Sequence, residues 1–168
     1  MTESDGSSKA PGGAEMSDQD IARACGASML VNDNTARDLG MSLDHIAPGE
    51  ASMTMTITDA MTNGHKTCHG GYIFTLADAA FAFSCNSRNQ KCVAQHCQVS
   101  FLKPAFAGDV LTARAKERWR EARSGIYDVE VINQAGETVA EFRGHSRTVK
   151  GTHLNDDTET QSTKTEVA

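Results

Sequence analysis

Tyr72 to Asn86 read YIFTLADAAFAFSCN, the longest apolar segment of the chain, interrupted by a single charge at Asp78. A run of about four turns rich in Ala, Leu and Phe predicts a helix, because strands rarely exceed about ten residues. Apolar side chains fall nearly all round it, so burial on most sides is expected. A carboxylate in such a helix needs a reason, since an unpaired buried charge is costly and the group is ordinarily protonated or paired. A structural Asp and a catalytic one both meet that condition, and the helix alone does not choose between them.

The loop before the helix, TNGHKTCHGG from Thr62 to Gly71, adds weight to the chemical reading. Gly70-Gly71 at a helix entry leaves backbone N–H groups unblocked at the positive end of the dipole, which suits an anion or a developing oxyanion. The plainer reading of the same pair is a tight turn. Asn63, His65 and His69 bring hydrogen-bonding side chains to this loop. Gly70 and Asp78 are eight residues apart, roughly 12 Å at the ~1.5 Å rise of a helix, so one carbonyl cannot reach both. If both act on one bond, the Asp must come from a second chain whose helix runs antiparallel, as a two-fold dimer supplies.

Other candidate chemistry is weaker. His65 and His69 flank Cys68 with metal-like spacing, but a zinc site needs further ligands. Cys68 beside His69 has the residue types of a nucleophile pair, yet adjacent side chains diverge and no third group orients them. Ser87 lies in no G-x-S-x-G elbow. Lys116, Arg118, Arg120 and Arg123 around Trp119 read first as a solvated strand end and turn, with phosphate binding the alternative. Asp109 after Gly108 reads as turn chemistry.

Outward from the helix the periodicity changes. Ser17 is a candidate N-cap for a short amphipathic helix over residues 17–32 with Ile21, Cys25 and Met29 on one face. The segment 36–44 is ambiguous, and EASMTMTIT (Glu50 to Thr58) alternates as a strand with Met53, Met55 and Ile57 inward. After the helix, segments 92–102, 110–119, 125–133 and 138–149 read as strands separated by Gly-containing turns, as in an antiparallel meander. The expected fold class is therefore α+β, a sheet wrapped about one helix.

Residues 1–15 and 151–168 are Gly-, Ser-, Thr- and charge-rich with little to bury, so both are expected to be disordered tails around one domain over residues 16–150. That leaves roughly 130 residues, an ordinary single-domain size. The net charge of -6 argues against a nucleic-acid surface. No apolar run reaches the ~18 residues of a membrane span, the start lacks signal-peptide order, and the five cysteines include no C-x-x-C pair. A cytoplasmic protein with reduced thiols is expected.

The stretch NGHKTCHGGYIFTLADAAFAFSCNS (Asn63 to Ser87) resembles the PaaI-type thioesterases of phenylacetate degradation, a branch of the hotdog superfamily. The likeness continues through FLKPAFAGDVLTARA (Phe101 to Ala115) and GIYDVEVINQAGETVAEFRG (Gly125 to Gly144). It implies a five- or six-stranded antiparallel sheet around the long helix, two chains joining their sheets, and dimers pairing into tetramers. By resemblance Asp78 is the catalytic carboxylate, Gly70 the oxyanion-hole glycine preceded by His69, and Asn63 the loop asparagine. Related enzymes carry Ser or Thr on the next strand to help place water, and Ala94 stands there instead. Whether Asp78 activates water or attacks the carbonyl itself stays open. Coenzyme A in the family lies along the dimer seam, for which Gly71, Arg120, Arg123 and Ser124 are the expected contacts, and no cofactor or metal is implied. The expected function is hydrolysis of phenylacetyl- or hydroxyphenylacetyl-type CoA thioesters. A non-catalytic acyl-CoA-binding module is the alternative, and a hydratase is disfavoured by the missing Asp-x-x-x-x-His pattern.

Overall fold

Ser17 caps the first helix as its sequence position predicts. In the computed structural model, which describes residues 16–154, its hydroxyl accepts from the Asp20 N–H (3.2 Å) and donates to the Asp20 carboxylate (2.6 Å). This reciprocal pair opens α1, Asp18–Asn32. The buried face runs through Ala22, Cys25 and Gly26 rather than centring on Ile21, Cys25 and Met29. Small residues explain the rotation, since Leu43 and Ile46 side chains pack to 3.0 Å from where a Gly26 Cβ would sit. The ambiguous segment resolves into a short helix α2 (Asn34–Asp38) and a strand β1 (Ser42–Ala47).

The remaining elements are β2 (Glu50–Thr56), a 3-10 turn (Asp59–Met61), α3 (Gly70–Asn86), β3 (Cys92–Phe101), β4 (Val110–Glu121), β5 (Ser124–Ile132) and β6 (Thr138–Thr148). Six strands pair antiparallel in the order β1-β2-β4-β5-β6-β3. The expected meander holds for β4, β5 and β6 and fails for β3, which pairs with β6 at the far edge. α3 is the physical reason. It carries the chain from β2 to the opposite margin of the sheet, and residues 102–109 bring it back to β4. That return is tied down where the Ala105 carbonyl accepts from Cys68 N–H (2.7 Å) and the Ile57 carbonyl from Gly108 N–H (2.8 Å). Asp109 closes its turn by accepting from the Phe106 N–H at 2.7 Å.

α3 is buried as its composition demands, with Ile73, Leu76, Ala77, Ala80, Phe81 and Phe83 almost without solvent contact. Phe81 meets Tyr127 and Phe142 edge-on or tilted, at centroid distances of 5.5 and 5.9 Å. Gly144 of β6 makes room for this ring, because a Cβ there would lie 2.8 Å from Phe81. At the other end, Ser84 and Ser87 pin the turn between β1 and β2 by hydrogen bonds of 2.8 Å to the Gly49 carbonyl and N–H.

The C-terminal tail starts later than the sequence predicts. Asn89 Oδ1 accepts from the N–H groups of His153 (3.0 Å) and Leu154 (2.8 Å), and His153 Nε2 donates to Asn86 Oδ1 at 2.6 Å. A polar segment thus finds partners in helix-terminal asparagines rather than in solvent alone. Residues 1–15 and 155–168, including the expected N-terminal tail and most of the C-terminal one, lie outside the described residues.

Candidate active site

His69 is the N-cap of α3, and its Nδ1 accepts from the Gly71 N–H at 3.2 Å. This bond fixes the neutral imidazole with its proton on Nε2, a donor turned outward. Gly71 is thereby satisfied, whereas the Gly70 N–H finds no acceptor among the described residues. An unsatisfied N–H at the first position of a long helix is a preformed anion-stabilising group. It opens onto a cavity of about 680 Å³ between the start of α3 and the segment that follows β3. The walls include Ile73, Phe74, Phe101 and Leu102, largely apolar side chains around that one donor. Gly70 has to be small here, since a Cβ would sit 2.8 Å from the Phe101 ring.

Asn63 organises the approach to this site. Its Oδ1 accepts from His65 N–H (2.9 Å) and Thr67 Oγ1 (3.2 Å), folding the loop into a closed turn. The turn leaves the Asn63 amide NH₂ unengaged among the described residues. His65 stays exposed at its tip. Cys68 is not activated: its thiol donates to the His69 carbonyl, and burial together with the Asp109 charge pushes it upward.

Asp78 does not line the Gly70 cavity. It is half-buried on α3, forms no ion pair among the described residues, and has one polar side-chain partner, the Cys97 thiol at 3.9 Å. Burial raises its carboxyl above the usual range, and the thiol partly offsets that rise. Asp78 and Gly70 both lie against β3, with Gly70 beneath Phe101 at its end and Asp78 beside Cys97 at its middle. α3 therefore runs antiparallel to β3, and the edge strand borders both groups.

Arg120, Arg123 and Ser124 sit at the hairpin joining β4 and β5, near the far end of α3, and a single chain does not bring them to the Gly70 cavity. The Arg123 guanidinium donates twice to the Thr148 carbonyl (3.1 and 2.9 Å), and Arg120 lies 3.6 Å from Glu117. Lys116 and Arg118 pair with Glu50 and Asp128. Two contributors escaped the sequence reading: Phe101, whose ring covers Gly70, and Cys97, which faces Asp78. The inward parity of residues 97, 99 and 101 on β3 is the signal that would have found both.

The sequence family described as the thioesterase superfamily matches residues 65–140. The acyl-coenzyme A thioesterase PaaI of Escherichia coli is 48% identical over 125 residues, covering 74% of this chain and 89% of that protein. Among solved structures, the E. coli PaaI protein from the phenylacetic acid degradation operon superposes with a TM-score of 0.80 at 46% identity, over 81% of this chain and 99% of that one. A Streptococcus mutans protein solved bound to acetyl CoA gives 0.64 at 25% identity, over 67% of this chain and 90% of the other.

Proposed function

The chain belongs to the thioesterase superfamily, in its PaaI-type branch, and we propose that it is an acyl-CoA thioesterase hydrolysing phenylacetyl- or hydroxyphenylacetyl-type CoA thioesters to the free acid and coenzyme A. The observation that carries this reading is a pair of incomplete groups along one edge strand. A helix-start N–H at Gly70 lacks an acceptor, and a half-buried carboxylate at Asp78 lacks a cation. Each is half of an acyl-transfer site. The aromatic walls at Phe74 and Phe101 support an aryl group as the acyl portion.

Two copies join along β3, and each supplies what the other lacks. The Gly70 N–H of one protomer polarises the thioester carbonyl, and the Asp78 carboxylate of its partner acts as general base or nucleophile. Water supplies the hydroxyl of the acid, the C–S bond breaks, and a proton passes to the leaving thiolate. His69 Nε2–H and the free Asn63 amide position the carbonyl or the water. Gly71, Arg120, Arg123 and Ser124 serve coenzyme A, with the two guanidiniums exchanging internal acceptors for phosphate. Support for the dimer comes from β3 itself, an edge strand with apolar side chains in solvent: Val93 is 49% exposed and Phe101 52%. Dimers pair further into tetramers. We place the enzyme in the cytoplasm: all five cysteines are free, and no described helix is long and apolar enough to cross a membrane.

A binding module without chemistry accounts poorly for Asp78, because a neutral residue in that setting would be more stable. The test is thiol release from phenylacetyl-CoA against an enzyme-free control. Wild-type protein releases thiol, and Asp78→Asn loses on the order of 100-fold or more in kcat with KM little changed. Near-full turnover by that variant would contradict the assignment.

A further inference from the structure

The strand beside Asp78 carries Ala94 where related enzymes hold a hydroxyl, and Ala94 offers nothing to a carboxylate. The side chain that does reach Asp78 is Cys97, three residues on and on the inward face of β3. On the premise of the thioesterase reading, we infer that Cys97 is a positioning residue for the reaction: its thiol holds Asp78 Oδ1 and leaves Oδ2 free to face water or the thioester carbonyl.

The surroundings leave this task to no other group. Cys97 pairs in register with Gly144 of β6, and Gly144 pairs with Tyr127 of β5. Gly144 has no side chain, and the space is taken by Phe81, one turn beyond Asp78 on α3. Tyr127 donates to Glu117 of β4 at 2.8 Å, and Glu117 is paired with Arg88 at 2.6 Å, so both are engaged elsewhere. β2 turns Met53 and Met55 toward the helix. Of the titratable groups around Asp78, Cys85 lies two turns along α3 and senses its charge, while Cys97 alone bonds to it.

The chemistry of the donor fits the role. Burial and the neighbouring carboxylate push the Cys97 thiol up to about 11, so it stays protonated and remains a donor throughout the working range. A protonated thiol is a weak donor that orients a carboxylate without neutralising it. It also opposes burial, which by itself drives Asp78 toward its protonated, inactive form.

The test is the pH profile of acyl-CoA hydrolysis by wild type, Cys97→Ala and Cys97→Ser, with thermal melts alongside. Removing the donor raises the Asp78 pKa, and activity is lost as pH falls through that value. Cys97→Ala therefore moves the acid limb of kcat/KM to higher pH and lowers kcat several-fold near neutrality, with KM held. Cys97→Ser brings the limb back, its hydroxyl meeting the carboxylate after a small shift of the Asp78 side chain. An unchanged limb in a folded Cys97→Ala protein overturns the inference and leaves the thioesterase reading standing, and a merely structural role would lower the melting temperature with the limb in place. Absence of thiol release from every acyl-CoA by wild type removes the function itself. If the Ala variant does not fold, the Ser variant decides: a limb at or below the wild-type position upholds the positioning role, and one at higher pH defeats it.

Discussion

At Asp78, burial is the largest influence on ionisation, and it acts upward. A base or nucleophile must be ionised, so the acid limb of kcat/KM for wild-type protein is expected above the ~4 of an unperturbed carboxylate, falling off as pH drops through the raised value. A limb at the ordinary carboxylate position would mean that Asp78 is solvated in the working enzyme, or that another group titrates. The importance of Asp78 was legible in the sequence as the lone charge in an apolar helix. Its partner was not. Cys97 is recognisable only once α3 and β3 are laid side by side, because nothing in the spacing of residues 78 and 97 announces a contact between a helix and a strand. The guanidiniums of Arg118, Arg120 and Arg123 show the converse limit: a cluster in sequence proves to be dispersed among acceptors on three strands.

At the scale of elements, the fit of α3 on the sheet depends on Gly144. The atoms a Cβ would strike there are Cε2, Cδ2 and Cε1 of Phe81, at 2.8 to 2.9 Å. The ring cannot swing away, being held between Tyr127 and Phe142. Gly144→Ala is expected to destabilise the protein by roughly 1–3 kcal/mol through overpacking, read as a lower urea midpoint with an unchanged slope. A midpoint equal to wild type would show that α3 has slack over the sheet. Element identities were largely legible, because period-two alternation marks β2 and a long apolar run marks α3. β1 was not, since its short edge segment SLDHIA carries a bulge at Leu43/His45 and buries only Ile46. Pairing order was hidden too: strands β3 and β4 are sequence neighbours, and only the path of α3 across the sheet separates them.

For the whole molecule, the separation of Gly70 from Asp78 was foreseeable from helix geometry, and the structure adds the direction in which the missing half lies. Both groups border β3, with Phe101 over Gly70 and Cys97 beside Asp78. Antiparallel pairing of two β3 strands about a two-fold near Val99 would set Phe101 of one protomer opposite Cys97 of its partner. Each Gly70 N–H would then face the other protomer's carboxylate. What no single sequence displays is this seam, because its two sides are the same residues seen from opposite ends.

Complementation between two inactive variants tests the shared site most directly. Asp78→Asn removes the carboxylate. Gly70→Pro removes the N–H while keeping the helix, since proline is tolerated at the first helical position and His69 already holds the extended ψ of 128° that a following proline requires. Each variant alone is expected to be nearly inactive toward phenylacetyl-CoA. Unfolded and refolded together in equal amounts, they form mixed dimers in half of the assemblies, each with one intact site, and about a quarter of wild-type activity returns. Activity no greater than the sum of the separate variants, with mixed dimers demonstrated by mass, would contradict a site built from two chains.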